Sequence, residues 1–444
     1  MKNRPGIVKR ITAAFRAAWR AQTLGELDTW MDRLMSGGPS SSGADVTGET
    51  AVNFTSFFSG VFQISQTIAS CDTYLYRTER DGSRHIWPQH PLYRVLKLRP
   101  NARMDAFRWK EAMQHHAIVW GNGYSVKMVD GSGRVNGLWL LNPERTRVEQ
   151  EDDGELVYIV RESTGEEFRY SQDQIFHLAG FGFNGVQGYP LLQIHREAIG
   201  LGLSQQAFTG RFISNGTHLG GILKHPAKLS DPAHERLRES WPQQYGGAAK
   251  AGTTAILEEG MDYQTVGMPL ADAQFLESKV FQTQEMARIL NISPYKLKDY
   301  SHATFSNVEH LGIEYATDTI RPWAERWEAA IDTQLLSESE QLVASSEFDL
   351  AGIQRGDVVT MNRGFQIARN GGWMNADEIR QRQGMNKIGD NAGEAYWWPK
   401  NMADARDPNA GSSEATGRFP APEATSNKHG GNGHEEMVFN QREG

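Results

Sequence analysis

A single cysteine, Cys71, in 444 residues leaves this chain no intrachain disulfide and no Cys-rich zinc site, which excludes a disulfide-stapled secreted module. No stretch approaches the run of about 18 apolar residues that spans a bilayer, so the chain reads as soluble and no membrane partner is expected. Basic charge is scarce: Lys and Arg total 46 against 54 Asp and Glu, a net charge of −8. That is not the footprint of a protein that wraps nucleic acid tightly. The Walker A pattern G-x-x-x-x-G-K-[ST], the nucleophile elbow G-x-S-x-G and the zinc-binding H-E-x-x-H are all missing. His115 and His116 are adjacent, so on a helix they point about 100° apart and cannot share one ion. His234-Glu235 and His434-Glu435 lack the second histidine, and Cys71 lies between Ser70 and Asp72 without a nearby base, which suits a small buried hydrophobe. With no catalytic constellation, the expectation is a non-enzyme without metal or cofactor.

The length corresponds to roughly two or three folding units. The 39% hydrophobic and 10% aromatic content is enough to build sizeable cores, with polar segments left over. At the start, Lys2, Arg4, Lys9, Arg10, Arg16 and Arg20 precede the first acid, Glu26, while Ile7, Ile11, Phe15 and Trp19 recur every fourth residue. This fits either a mobile basic arm or a basic amphipathic helix for a membrane, an organelle or a partner. Residues 36–50 are rich in Ser and Gly and read as a linker, so folding is expected to begin near Ala51.

From Val52 to Ser70 the apolar residues Phe57, Val61, Ile64 and Ile68 predict a helix, and Tyr74, Tyr76 and Ile86 around Asp81-Gly82 predict a hairpin. Helices are expected from about Leu92 to Pro100 and over Asp105 to Val119, the latter with Phe107, Met113 and Ala117 facing inward. Short segments at 124–128, 137–141, 147–150, 156–161, 167–170 and 174–178, several separated by turns such as Asp130-Gly131, predict an antiparallel meander. One helix is expected from Pro190 to about Ser214, then strand 221–224, helix 232–245 and strand 254–257. Between Ala271 and Ile292, Leu276, Val280, Thr283, Ala287 and Leu290 step by 4, 3, 4 and 3 along one seam that needs a helix from this chain or another subunit. Ser293-Pro294 restarts a short turn, 299–306 is loop-like, and a long helix from Asn307 to Leu336 should kink at Pro322. Trp323, Trp327 and Ile331 make a packing stripe on it. A helix pair at 357–370 and 375–383, separated by Gly371-Gly372, precedes a tail expected to be disordered over 403–444.

Gly180-Phe-Gly-Phe-Asn-Gly185 is formally G-x-G-x-x-G and supports an alternative reading as a nucleotide-binding enzyme. Against it, Val186-Gln-Gly188 still separates the cluster from the next helix, and no acid closes a strand 20 residues on. A membrane-associated oligomer anchored by residues 1–20 is the other alternative.

Read in order, His90-Pro91-Leu92 with Arg99-Pro100-Asn101, Gly121-Asn122-Gly123-Tyr124, Leu140-Leu141-Asn142-Pro143, Ile175-Phe176-His177, Gly185 and Gly188-Tyr-Pro-Leu form a recognisable series. It continues with Phe212-Ile-Ser-Asn-Gly216, Trp241, Tyr245-Gly246, Ile292-Ser293-Pro294, Thr304-Phe305-Ser306-Asn307 with Glu309, and Trp373-Met-Asn375-Ala-Asp-Glu378-Ile-Arg380. Over about residues 50–400 the chain resembles the portal proteins of tailed bacteriophages, in the lambda-like long-tailed branch.

The resemblance implies an α+β portal fold: an α/β wing that includes the antiparallel meander, a helical stem, a small α/β clip and a helical C-terminal crown region. Laid on this chain, 1–50 is a flexible basic arm and linker, 51–190 the wing, and 190–216 and 269–293 the stem helices. The clip is then 217–268, the tunnel loop 294–307, and the kinked helix and crown 308–402. It further implies a homo-oligomeric ring, usually a dodecamer, at one capsid vertex of a virion, assembled in the host cytoplasm around a double-stranded DNA channel. The implied partners are the large terminase subunit, the head-tail adaptor, the major capsid protein and scaffold. Lys296, Lys298, His302, Thr304 and Asn307 are the implied channel contacts, and the Leu276, Val280, Thr283, Ala287 and Leu290 seam the implied stem or inter-subunit packing.

Overall fold

Folded structure begins earlier than expected: within the stretch read as a linker, Ser40 and Val46 are buried, Val46 in the main core, and Ser41 N–H donates to Glu197 Oε2 at 2.9 Å. Thr47 caps a single turn, Gly48–Ala51, through a capping box with Thr50. Helix α1, Thr55–Ser70, then buries Phe57, Val61, Ile64 and Ile68 on one face. The computed structural model describes residues 39–151, 154–182, 185–214, 221–226, 230–245, 261–265, 272–300, 311–354, 358–389 and 392–396. The basic arm, the expected strand at 254–257 and the C-terminal tail lie outside the described residues.

Strands β1 (Thr73–Thr78) and β2 (Arg84–Ile86) form the expected hairpin. Helix α2, Pro91–Lys97, starts with proline at its first position behind His90, and α3, Ala106–Val119, is capped by Asp105. Phe107 is 40% exposed, contrary to the inward placement expected of it; Trp109, Met113 and Ala117 hold the buried stripe instead. Position 107 falls outside the i, i+4, i+8 row that faces the core.

The expected single meander is two sheets. Strands β3 (Asn122–Val129), β4 (Val135–Leu140), β5 (Thr146–Gln150), β6 (Leu156–Arg161), β7 (Glu167–Ser171) and β8 (Ile175–Ala179) follow one another along the chain. They pair as β4-β3-β8 and β5-β6-β7, each antiparallel. The reason is visible in β8: Phe176 and Leu178 are fully buried and join the main core, whereas β7 is almost wholly exposed, so β8 leaves its neighbour in sequence for β3.

The expected helix from Pro190 is interrupted. A turn, Leu191–Ile194, with Pro190 as its N-cap, stops at His195, and α4 runs from Arg196 to Ser214. Strand β9 (Gly221–Lys224), helix α5 (Asp231–Tyr245) and strand β10 (Asp262–Thr265) follow, with β9 and β10 antiparallel. Helix α6 spans Asp272–Ile289. After a π-helical turn at Tyr315–Ile320, α7 runs from Arg321 to Leu335, and strand β11, Ala344–Phe348, completes the order β11-β1-β2.

The core sits where α1, α3, α7 and β8 meet. Trp109 and Trp327 cross edge to face at 5.3 Å, with Phe176 and Phe348 about the same cluster. Each indole finds an acceptor: Trp327 Nε1 donates to Gln114 Oε1 at 2.8 Å and Trp109 Nε1 to Ser125 Oγ at 3.0 Å. The free edge of β11 is covered by α7, because Ser346 and Phe348 N–H donate to Asp332 and Glu328 carboxylates at 2.7 Å each. Burial pushes both of those carboxyls upward.

The chain divides into two compact units, residues 1–356 and 357–444. In the second, α8 (Val358–Asn370) ends at Gly371-Gly372, where Gly372 takes φ 74°, and α9 (Ala376–Arg382) is capped by Asn375 in a capping box with Glu378, as the sequence predicts.

Candidate functional site

The glycine cluster is packed with its own backbone. Gly180 N–H donates to Gly121 O at 2.8 Å, and Tyr189 N–H to Phe181 O at 2.7 Å. Asn122 Oδ1 accepts from Gly188 N–H at 2.9 Å and from His177 Nε2 at 2.9 Å, while its amide donates to Gly188 O at 3.1 Å. A Cβ on Gly188 would strike Gly121 O, and one on Gly182 would strike Gln187 O. Gly180, Gly182 and Gly188 let segments touch, whereas Gly185 meets nothing and serves by its left-handed φ of 73°, and the strand before them lies in an antiparallel sheet. A dinucleotide loop needs a parallel strand and amides open to phosphate, so nothing here supports the nucleotide-binding alternative. His177, which also contacts Tyr158 Oη at 3.2 Å, is driven down to about 3 by burial and is neutral in the fold. Gln334 on α7 brackets its backbone, accepting from His177 N–H at 2.8 Å and donating to its carbonyl at 2.9 Å.

The segment expected to face DNA begins at the end of α6. Asn291 adopts φ 52° just past the helix; its N–H bonds Arg288 O and that of Ile292 bonds Ala287 O, a Schellman termination with asparagine in the left-handed position. Pro294–Leu297 then forms one tight turn, closed by Lys298 at φ 66°.

Lys296 is half-buried, its ammonium 4.3 Å from the Tyr315 ring centre, and burial together with Lys298 holds it below the usual lysine range. Tyr315 is fixed from behind by Thr67 Oγ1 at 2.9 Å and Gln63 O at 3.2 Å. Lys298 is exposed. His302, Thr304 and Asn307 lie outside the described residues.

Sequence reasoning missed Asn291. Pro322 has no N–H to offer the carbonyl four residues back, which is Asp318 O. Asn291 Nδ2 donates to that carbonyl at 3.1 Å, and Thr319 Oγ1 donates to Asn291 O at 2.5 Å. The expected kink at Pro322 therefore takes the form of a π-turn just before it, with Arg321 N–H reaching Ala316 O. The end of α6 is pinned to this turn, beside a cleft of about 330 Å³ lined by Gln284, Arg288, Asn291, Ser293, Glu314 and Asp318. The available signal was an asparagine one residue beyond a helical seam, together with the proline's missing donor.

The α6 seam is divided. Ala287 and Leu290 are buried, and Leu290 fits over Gly60 of α1, where a Cβ would collide with its Cδ1. Thr283 Oγ1 meets Ser56 Oγ at 3.2 Å, and Ser278 Oγ accepts from Gln205 Nε2 of α4. Val280 is 40% exposed and Phe281, off the seam, 52%. The Leu276 side chain lies outside the described residues.

Among the described residues no group of His, Cys, Asp and Glu is arranged to hold a metal, and no helix is long and apolar enough to cross a membrane.

A family model described as "Phage portal protein" matches residues 55–384. The chain is 27% identical over 388 residues to the "Probable portal protein" of Streptomyces phage phiC31, covering 83% of this chain and 82% of the relative. It is 25% identical over 346 residues to the "Portal protein" of Enterobacteria phage HK97, covering 77% and 81%. Its fold is similar to the crystal structure of an HK97-family phage portal protein from Corynebacterium diphtheriae, with TM-score 0.53, 16% identity, and coverage of 70% and 98%. It is also similar to a chain in the neck of an empty GTA particle resolved with C6 symmetry, with TM-score 0.52, 22% identity, and coverage of 74% and 90%.

Proposed function

The chain belongs to the phage portal protein family, and from that premise we propose that identical copies close into a ring of about twelve at one capsid vertex, leaving a channel for double-stranded DNA. The observation that carries this reading is the family match across 55–384, which spans the wing, both stem helices and the proposed tunnel loop. In this reading 51–190 is the wing, 190–216 and 269–293 the stem, 217–268 the clip, 294–307 the tunnel loop and 308–402 the kinked helix and crown. The packaging motor and later the tail adaptor dock at the clip, and the major capsid protein and scaffold are further partners. The ring assembles in the host cytoplasm and ends in the particle. Its role is structural, not enzymatic.

Electrostatics supports a conduit over a clamp. A channel that held phosphates through many Lys and Arg residues would bind tightly and in a salt-dependent way, which opposes sliding. This chain is acidic overall, and in the proposed loop Lys296 is occupied with Tyr315, leaving Lys298 as the exposed cation of 294–300. The loop's anchor, Asn291 against Asp318, suits a device that must hold position while the duplex passes.

Negative-stain microscopy of the purified protein tests the proposal. A ring with a central hole wide enough for a duplex is expected; single compact particles without a hole would refute it.

A further inference from the structure

Helices α1 and α3 leave a groove of about 340 Å³ between them. Phe57 and Val61 form its floor, and Phe58 and Phe62 stand on its rim, stacked at 5.7 Å and each 46% exposed. Val52 at its mouth is 42% exposed. Ser65 also lines the groove, only 2% exposed, and its hydroxyl has no hydrogen-bond partner. Glu111 and His115 supply the polar wall from α3. A buried hydroxyl left unpaired beside exposed aromatic rings describes half of an interface. Its occupant must bring large apolar side chains, a polar tip for Ser65 and positive charge for Glu111.

We propose that residues 7–20 of the same chain dock in this groove as an amphipathic helix. Ile7, Ile11, Phe15 and Trp19 recur at helical spacing, and from the first to the last such a helix is about 18 Å long. Trp19 carries the one indole N–H that a lone hydroxyl acceptor needs. Arg16 and Arg20 flank the stripe in a segment with no acid before Glu26, while Glu49 and Glu144 join Glu111 near the groove's mouth, Glu144 lying against Gly48. The described chain resumes at Pro39, a few residues before Gly48 on the groove wall, and residues 21–38 extended would reach about 60 Å. The docking is independent of the ring and gives the basic arm a place on the wing.

The test places the photo-cross-linker p-benzoylphenylalanine at Phe62 in the full-length protein, followed by irradiation and peptide mass spectrometry. An intrachain cross-link to a peptide within 7–20 is expected, and Trp19→Ala should cut its yield about tenfold or more, as removal of a tryptophan anchor does. Trp30→Ala, off the stripe, should leave the yield unchanged. A cross-link to any other peptide, a product of two chain masses, or none at all in protein that melts like the wild type would overturn the proposal. The same measurement with the probe at Phe58 guards against local disturbance at position 62.

Discussion

The core around Trp109 and Trp327 and helix α6 are both rich in apolar residues, yet they leave the chain in opposite conditions. Around Trp109 and Trp327 both indoles have acceptors, the β11 edge is capped by two carboxylates, and the buried pair His90 and Glu340 is closed from the solvent side by the exposed Arg134. Apart from Gln114 Nε2, which is buried without a hydrogen-bond partner, that region satisfies its polar groups within one polypeptide. On α6, Ala287 and Leu290 pack on α1, while among its described side chains Val280 and Phe281 remain largely in water. The contrast separates what makes the subunit fold from what is left over for neighbours.

The sharpest contrast should come from Trp327→Ala, which removes a fully buried ring and leaves Gln114 without its donor. Chemical denaturation should register a loss of about 3–5 kcal/mol. A loss below about 1 kcal/mol would mean that the core around Trp109 and Trp327 is not where stability resides.

Next is the knot at Glu340. Burial alone would raise its carboxyl, but Ser337's hydroxyl and N–H and the His90 imidazole outweigh that and hold it at about 2, below the 4.5 of an unpaired glutamate. Its folded-state value is depressed, so its stabilisation is present above about pH 4.5 and drains away as pH falls towards 2, about 3 kcal/mol in all. Glu340→Gln should flatten that part of the stability–pH curve; an unchanged curve would show that the carboxylate is not held there.

A smaller effect belongs to the joint between α6 and the turn at Pro294–Leu297. Asn291→Ala removes both the left-handed tolerance and the donor to Asp318 O, and should cost about 1–2 kcal/mol in thermal or chemical denaturation. Asn291→Gly keeps the backbone freedom and should cost less; equal losses would assign the whole effect to the hydrogen bond.

The smallest change in subunit stability is expected at Phe281→Asp, within about 0.5 kcal/mol because the side chain is already exposed. Under the ring proposal its effect falls on assembly alone.

The sequence made local structure legible wherever a residue's own chemistry decides it: Asn375 as a cap, Gly371-Gly372 as a stop, Ser293-Pro294 restarting a turn, and the 3.6-residue stripe of α1. It misled where a partner distant in sequence decides. Nothing in residues 167–178 announces that β8 will desert β7 for β3, since that depends on Phe176 and Leu178 reaching Trp109 and its neighbours. Phe107 looked inward by type but sits off the row set by Trp109, Met113 and Ala117. Pro322 marked the break correctly, while its repair by Asn291 required two segments to be seen side by side. At the candidate site the ordered motifs pointed to the family, whereas the employment of Lys296 on Tyr315 is a tertiary fact that no motif carries.

Sedimentation analysis of the wild type beside Phe281→Asp, at micromolar concentration and physiological salt, weighs subunit against assembly in a single experiment. Closure through the exposed stem face predicts a large species of about twelve chain masses for the wild type and a folded single chain for the variant. A wild type that sediments as one chain, or a variant that assembles as well as its parent, would contradict it.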